Sequence, residues 1–430
     1  MSSLARHDQS SCQVQKYLVL LLLSALFAAL TGIGAREYLQ DEASPGTLPA
    51  AVGRMIALYA LVLMLLQPAL ALRIRFLDRI FGLDQLLKAH RFAGMAALTL
   101  AFLHPLLIYF EATRRAGPMN TGLWPEALGG ICLAGLWLLV VSSCWRKFVV
   151  MKYEQWLKLH RYTAPIVLLG LVHMFVLAPD MRQGWLALFW SVMLILWAGL
   201  LVVHKLVLPS QRAAIESFVV VSASAAAEKI WRIDLKPVDD QVPFGFIPGQ
   251  FAFLSFNNAE PGQEEHPFTI ASAPVQSAGL QFLIKEDGDW TAKLNMVRAG
   301  DMVRVSGPFG VFSPWRHDVN RLILIAGGIG ITPMLSILRQ LREEKSALAV
   351  KLIWTFQSSS GAPCLEEIEG MRQAVPAFEF VKIATREPSA DKSVSARLDQ
   401  PTLAKLLPEY QSGTLLLVCG PTRMMHDIRK

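Results

Sequence analysis

The stretch HRFAGMAALTLAFLH, from His90 to His104, decides how the rest of the chain is read. Between its two histidines lie only apolar residues, a glycine, a threonine and one arginine. Such a composition suits a helix in lipid, where an imidazole is costly unless it binds something. The histidines are fourteen residues apart. At about 100° per residue they return to within roughly 40° of one direction, about 21 Å apart along the axis. A second stretch, HRYTAPIVLLGLVH, runs from His160 to His173. Thirteen steps would place its two rings roughly 140° apart on an ideal helix. A common face therefore requires a kink or a local bulge, and Pro165 stands between them.

The surrounding composition supports a membrane setting. The chain has 430 residues, 53% hydrophobic and only 17% charged. The apolar excess lies between residue 17 and about residue 207. Six candidate spans follow: 17–35, 50–72, 86–110, 127–145, 157–178 and 185–205, each close to the ~20 residues that a spanning helix needs. Basic residues gather in alternate connections: Arg73, Arg75, Arg79 and Lys88 in the second, and Arg146, Lys147, Lys152 and Lys158 in the fourth. The first connection is acidic (Glu37, Asp41, Glu42), and the fifth is mixed (Asp180, Arg182). The positive-inside rule then predicts a multi-pass protein of the inner (plasma) membrane with both termini cytoplasmic and the lipid bilayer as its partner. The net charge of +7 is explained by these flanking residues, so no nucleic-acid partner is expected. The run YLVLLLLSALFAALTGI is long for a signal peptide and has no A-x-A site at the right distance, so it reads as a retained helix.

With that topology, His90 and His160 lie at a similar inner depth and His104 and His173 at a similar outer depth. Two imidazoles at one level on two helices are what bis-histidine ligation of haem iron requires, and two levels give two b-type haems. For a single histidine, helix packing is the simpler reading; matched pairs on two helices favour metal. His204 reads as interfacial. Arg91 and Arg161 each follow an inner histidine, and two readings stand for them: pairing with haem propionates, or snorkelling to the headgroups. The five cysteines (Cys12, Cys132, Cys144, Cys364, Cys419) form no CxxC pair. That excludes the usual iron–sulfur and zinc spacings and covalent haem attachment, and nothing suggests a disulfide framework.

A break near Pro209 separates residues 1–208, the haem-carrying spans, from a chain of ordinary polarity. Short β-rich runs (SFVVVS, KIWRIDL, QFAFLSF, LQFLIKE, DMVRVSG) predict an antiparallel barrel over 209–318. From residue 319 the runs RLILIA, AVKLIWTF, FEFVKIAT and GTLLLVCGP alternate with helical segments, which predicts a parallel α/β sheet. In GGIGITPM, Gly327, Gly328 and Gly330 allow a sharp turn and close approach of a ligand. Thr332 suits an N-cap and Pro333 the first helical position, so the turn reads as a pyrophosphate site at a helix N-terminus. The barrel carries HPFTIAS (266–272), KEDGDWT (285–291) and GPFG (307–310), each of which alone also reads as a turn.

Together these pieces resemble the ferric reductase and NADPH oxidase superfamily: a ferric-reductase-like membrane part joined to a module of the ferredoxin–NADP reductase type. The resemblance rests on the 14 and 13 histidine spacings, HPFT, GGIGITPM and CGP. It implies FAD and NAD(P)H as further cofactors. It also implies His90 with His160 on the inner haem and His104 with His173 on the outer. Phe268 and Thr269 would lie against the isoalloxazine. His266, Pro267 and Ser272 would belong to the same flavin site, with His266 and Ser272 supporting the ribityl and phosphate portion. Lys285, Gly288, Trp290 and Thr291 would close over the flavin phosphates. Gly327, Gly328, Gly330, Thr332 and Pro333 would hold the dinucleotide phosphates, and Cys419, followed by Gly420 and Pro421, would sit beside the nicotinamide. Thr269 and Cys419 are the expected catalytic pair. Two departures stand out. The family continues past the CGP helix to a last strand, whereas this sequence ends at Lys430, so the 319–430 domain reads as lacking that strand. The arginine that often reads NADPH after the second strand is absent from WTFQSSSG, while Arg386 follows the third.

Electron counting orders the cofactors. A reduced nicotinamide gives a hydride, a haem iron takes one electron, and a flavin handles both. The expected activity is a transmembrane NAD(P)H-dependent reductase whose outer acceptor is a ferric chelate or a small molecule such as dioxygen. A quinone-linked reductase is the near rival. A membrane channel with a redox-sensing domain is the non-enzymatic one.

Overall fold

The computed structural model describes residues 3–40, 48–114, 124–146, 148, 151, 153–177, 184–203, 217–239, 244–257, 260–274, 279–386, 398, 400–407 and 411–428. His204, Asp41, Glu42, Lys147, Lys152, Asp180, Arg182, Pro209 and Lys430 lie outside these residues. The chain forms two compact units, Val14–Leu208, and Pro209–Lys430 with Met1–Gln13.

The first unit is helical: α1 (Ser3–Gln40), α2 (Leu48–Ala71), α3 (Arg75–Phe81), α4 (Leu83–Arg114), α5 (Trp124–Trp145), α6 (Tyr153–His160), α7 (Thr163–Leu177) and α8 (Gly184–Val202). Five stretches are long and apolar enough to cross a membrane: Gln13–Gly32, Leu48–Ala71, Leu83–Tyr109, Ala127–Trp145 and Tyr153–Leu177. For the sixth expected span, the apolar stretch among the described residues is the shorter Ala187–Val202, within the 19-residue α8. The core of this unit joins Leu58, Leu61, Val62 and Leu65 of α2 to Val167 and Leu171 of α7 and to Trp190 and Trp197 of α8. Phe92, Phe102, Leu106, Trp137 and Leu138 point outward and exposed, as a lipid-facing surface requires.

Two local devices place the histidine helices. The buried Asp78 carboxylate accepts the Leu83 N–H at 2.7 Å, and Gly82 takes φ 82°, so α3 turns directly into α4. The fifth expected span is broken. Helix α6 ends at His160, Arg161 and Tyr162 form a turn, and α7 begins at Thr163. Pro165 has no N–H to donate back to Arg161, so regular pairing fails there. The Thr163 hydroxyl donates instead to the His160 carbonyl at 2.7 Å.

The second unit contains two sheets. Strands β1 (Ser217–Ala227), β2 (Ile230–Pro237), β3 (Phe251–Phe256), β4 (His266–Thr269), β5 (Leu280–Lys285) and β6 (Met302–Phe309) form an antiparallel sheet in the order β4-β3-β6-β1-β2-β5. A bridge between Ile270 and Phe282 brings its two edges together and closes the barrel. Five of these strands coincide with the β-rich runs; the sixth is the HPFT segment itself, too short to show a period.

Strands β7 (Arg321–Gly327), β8 (Ala349–Phe356), β9 (Phe378–Ala384) and β10 (Thr414–Cys419) form a parallel sheet in the order β10-β7-β8-β9. Helices α9 (Ile331–Glu343), α10 (Leu365–Gly370), α11 (Gln400–Leu406) and α12 (Thr422–Ile428) accompany it. Strand β7 is apolar on both faces. Leu322, Leu324 and Ala326 pack with α9, while Ile323 and Ile325 pack with Leu403, Met424 and Ile428. Each buried Leu or Ile contributes about 1.5–3 kcal/mol, which is why the strand reads as a continuous apolar run rather than an alternation.

Candidate functional site

In the helical unit, the sequence-predicted inner pair does come together. The His90 and His160 ring centres are 6.0 Å apart, with 70° between the planes. Two imidazoles opposed across one metal, with nitrogen–metal bonds of about 2 Å, place their ring centres about 6 Å apart. The spacing therefore fits a single iron between them. Both α4 histidines are oriented by α2. His90 Nδ1 donates to the Gln67 carbonyl at 3.3 Å, and His104 Nδ1 to the Gly53 carbonyl at 2.9 Å. With Nδ1 carrying the proton, Nε2 is left with its lone pair free, as an iron ligand needs. Gln67 and Gly53 are themselves fourteen residues apart on the antiparallel helix, so one spacing serves both levels. His173, the expected partner of His104, stands on α7. Its ring occupies space opened by Gly129 of α5, where a Cβ would come within 2.5 Å of Cε1 and 2.9 Å of Nε2.

In the second unit, the sequence-predicted residues divide into those that face a cleft and those that build it. An open cleft of roughly 740 Å³ lies outside the carboxyl ends of β7, β8 and β9, where ligands of parallel sheets bind. Lys285, Gly327, Gly328 and Pro421 line it. Glu228, Lys229, Thr355, Ser358, Arg386 and Arg423 line it too, and of these only Arg386 is marked by any sequence signal. Gly328, exposed and at φ 53°, presents backbone to the cleft.

Gly327, Gly330 and Gly420 serve packing. A Cβ on Gly330 would strike the Cys419 carbonyl, and one on Gly327 would come within 2.8 Å of Pro421 and Met424. These glycines let GGIG and CGP abut, which brings Cys419 to the turn. Burial pushes the Cys419 thiol up, so it is held as the neutral thiol. The expected cap is corrected here. A 3-10 turn over Gly328–Gly330 runs straight into α9, so helical geometry starts at Ile331. Thr332 is then inside the first turn, its hydroxyl donating to the Ile329 carbonyl at 2.7 Å, and Pro333 is the third helical residue rather than the first.

The flavin-motif residues also differ in their exposure. Thr269 and Phe268 are half-buried on β4, and Pro267 is exposed. Phe268 stacks on Trp290 at 5.6 Å and 25°, and His266 lies 4.4 Å from the same indole. Trp290 is only 4% exposed and belongs to the barrel core, so it supports His266 and Phe268 from behind. Thr291 accepts the Asp287 N–H at 2.7 Å and donates to the Gly288 carbonyl, shaping a turn in which Gly288 takes φ 114°. Ser272 is fully engaged internally: its hydroxyl accepts the Gln281 N–H, and its carbonyl accepts the Ser336 hydroxyl of α9 at 2.7 Å.

Beside Ser272 runs a network that the motifs do not reveal. The Arg339 guanidinium on α9, 7% exposed, donates to the Ala271 carbonyl at 3.0 Å and to Gln281 Oε1 at 2.7 Å. It also grips Glu367 of α10 with two bonds, 2.7 and 2.6 Å. Gln281 passes the connection to Asp234 of β2 at 2.7 Å. The segment following HPFT is thereby tied to the helix following GGIG.

Three family descriptions match the chain. Residues 56–171 match the ferric reductase like transmembrane component, 217–313 an FAD-binding domain, and 324–430 an oxidoreductase NAD-binding domain. Together, the three matches are those of the ferric reductase and NADPH oxidase superfamily. In order along the chain, a ferric-reductase-like membrane component is followed by FAD-binding and NAD-binding domains. The chain is similar to the propane 2-monooxygenase reductase component of Mycolicibacterium goodii, 27% identical over 48% of this chain and 60% of that protein. It is also similar to a flavohemoprotein of Bacillus cereus, 27% identical over 49% and 56%. The chain thus spans less than two thirds of the length of these curated relatives. Among solved structures, a ferredoxin NADP+ reductase from Neisseria gonorrhoeae with bound FAD and NADP is 21% identical, covering 49% of this chain and 87% of that one, with a TM-score of 0.42.

Proposed function

We propose that this chain carries electrons across a membrane, from cytoplasmic NAD(P)H through FAD and two b-type haems to ferric iron or dioxygen on the outer face. The observation that carries the reading is the His90–His160 pair, 6.0 Å between ring centres on two helices; the sequence repeats the pattern at His104 and His173. When bound, FAD supplies the conversion of a two-electron hydride into single electrons that haem iron accepts.

The chain's own residues bind and orient. Gly328 and the start of α9 offer N–H groups to the dinucleotide phosphates, and Arg386 at the end of β9 supplies a cation that favours NADPH. Phe268 and Thr269, braced by Trp290, form the flavin face of β4. Cys419, kept neutral by burial, packs against the nicotinamide without competing as a nucleophile. The carbonyls of Gln67 and Gly53 take the Nδ1 bonds of the α4 imidazoles, which would leave each Nε2 to bind haem iron. The basic connections at Arg73–Lys88 and Arg146–Lys158 support a plasma-membrane topology with both termini cytoplasmic. Helix α8 serves as the sixth crossing.

Replacing His104 or His173 by a residue that cannot bind iron tests the reading. Each variant should lose one of two haems per chain, measured optically against protein, and should stop reduction of an acceptor across the membrane. Full activity with a single haem would sink it.

A further inference from the structure

The four imidazoles are not held alike. His90 and His104 each have a backbone carbonyl for Nδ1. The Nδ1 of His160 is buried and has no hydrogen-bond partner among the described residues. What the His160 ring has is Trp156, one turn earlier on α6: the ring centres are 5.0 Å apart and the planes 25° from parallel.

That indole is itself immobilised. Its Nε1 donates to Ser143 Oγ on α5 at 3.0 Å, and the Ser143 hydroxyl donates to the Leu139 carbonyl at 2.7 Å. The Arg146 guanidinium lies 5.8 Å from the indole centre and 5.4 Å from that of Tyr153, within cation–π range. Tyr153 packs on the same indole at 5.5 Å. An edge hydrogen bond, a cation and the Tyr153 ring therefore determine the indole plane, and the indole determines the His160 plane.

We propose that Trp156 is the positioning residue of the inner ligand pair: it holds His160 crossed to His90 by stacking, in place of the carbonyl bond that α4 uses. The inference rests on the reading of His90 and His160 as haem ligands. Its physical consequence is spectroscopic. In a low-spin ferric haem, crossed imidazole planes leave two iron d orbitals nearly equal in energy and give a highly anisotropic electron paramagnetic resonance signal. Parallel planes separate the orbitals and give a rhombic signal. Ring orientation is among the protein's levers on a haem.

The test uses the full chain, purified, oxidised and quantified for haem. The unaltered protein should show the highly anisotropic signal for its inner haem. Trp156→Ala should keep two haems yet convert that signal to a rhombic or broadened one. Trp156→Phe, which retains a face to stack, should keep it. Ser143→Ala, which frees the indole edge, should broaden it. An unchanged spectrum in Trp156→Ala with both haems bound overturns the inference. If Trp156→Ala does not retain haem, the pair Trp156→Phe and Trp156→Leu decides: the crossed signal kept in the first and lost in the second supports the inference, and the same signal in both overturns it. Failure of the underlying reading looks different, since His160→Ala would then keep both haems.

Discussion

A histidine in a membrane helix is a question that its neighbours answer. At the outer level the answer depends on an absent side chain: Gly129 leaves room for the His173 ring, and a methyl there would sit 2.5 Å from it. Because the ring cannot be displaced without moving Nε2, the proposed two-haem arrangement predicts that Gly129→Ala costs the haem held by His104 and His173 and leaves the other. The haem-to-protein ratio should fall from two toward one, and a ratio of two would show that the ring does not need the place it occupies. The same logic applies at Gly330, where only hydrogen fits against the Cys419 carbonyl. Both glycines are visible in the sequence, but what they make room for is not, because their neighbours come from helices or strands far along the chain.

At the scale of elements, α9 and the barrel are joined through Arg339. Burial alone would raise the Glu367 pKa, but the Arg339 hydrogen bonds and charge, with Arg342 and Arg232, outweigh it and hold the carboxyl below its ordinary value. A depressed carboxylate stabilises the fold above its ordinary pKa, and that contribution is lost as pH falls through the lower folded value. Glu367→Gln should therefore flatten the acid limb of the stability profile below about pH 5, measured by denaturant unfolding across pH; an unchanged limb would mean that the pair is not coupled to folding. Arg339→Met, which strands Glu367 and the Ala271 carbonyl, should cost about 3 kcal/mol in the same measurement. Element types were legible from period and run length: the apolar β7 read as a buried strand because helices cover both its faces. Element ends were less so. The turn at Arg161–Tyr162 was legible only as a requirement of the histidine spacing, and HPFT did not read as a strand because four residues carry no period.

For the molecule as a whole, the proposed transfer from haem to acceptor can be isolated in one experiment. With both haems prereduced and oxygen excluded, adding either air-saturated buffer or a ferric chelate should reoxidise them. Fast reoxidation by oxygen with superoxide formed assigns an oxidase; fast reoxidation by chelate alone assigns a ferric reductase. Reoxidation by neither, with rapid reoxidation by a quinone, would replace both with the quinone-linked alternative.

Features that repeat along the chain could be read from its linear order. Apolar runs of spanning length, basic residues in alternate connections, histidines fourteen and thirteen apart, and strands alternating with helices all follow from local periodicity, which the linear order preserves. Which groups meet is a matter of the folded chain: the carbonyls of Gln67 and Gly53 on the α4 histidines, Trp156 on His160, Arg339 between the barrel and the parallel sheet, and Trp290 in the barrel core against Phe268. Those meetings depend on helix crossings and strand order that bring together residues far apart in the chain. Backbone carbonyls, stacking faces and absent methyl groups leave no letter of their own in the sequence.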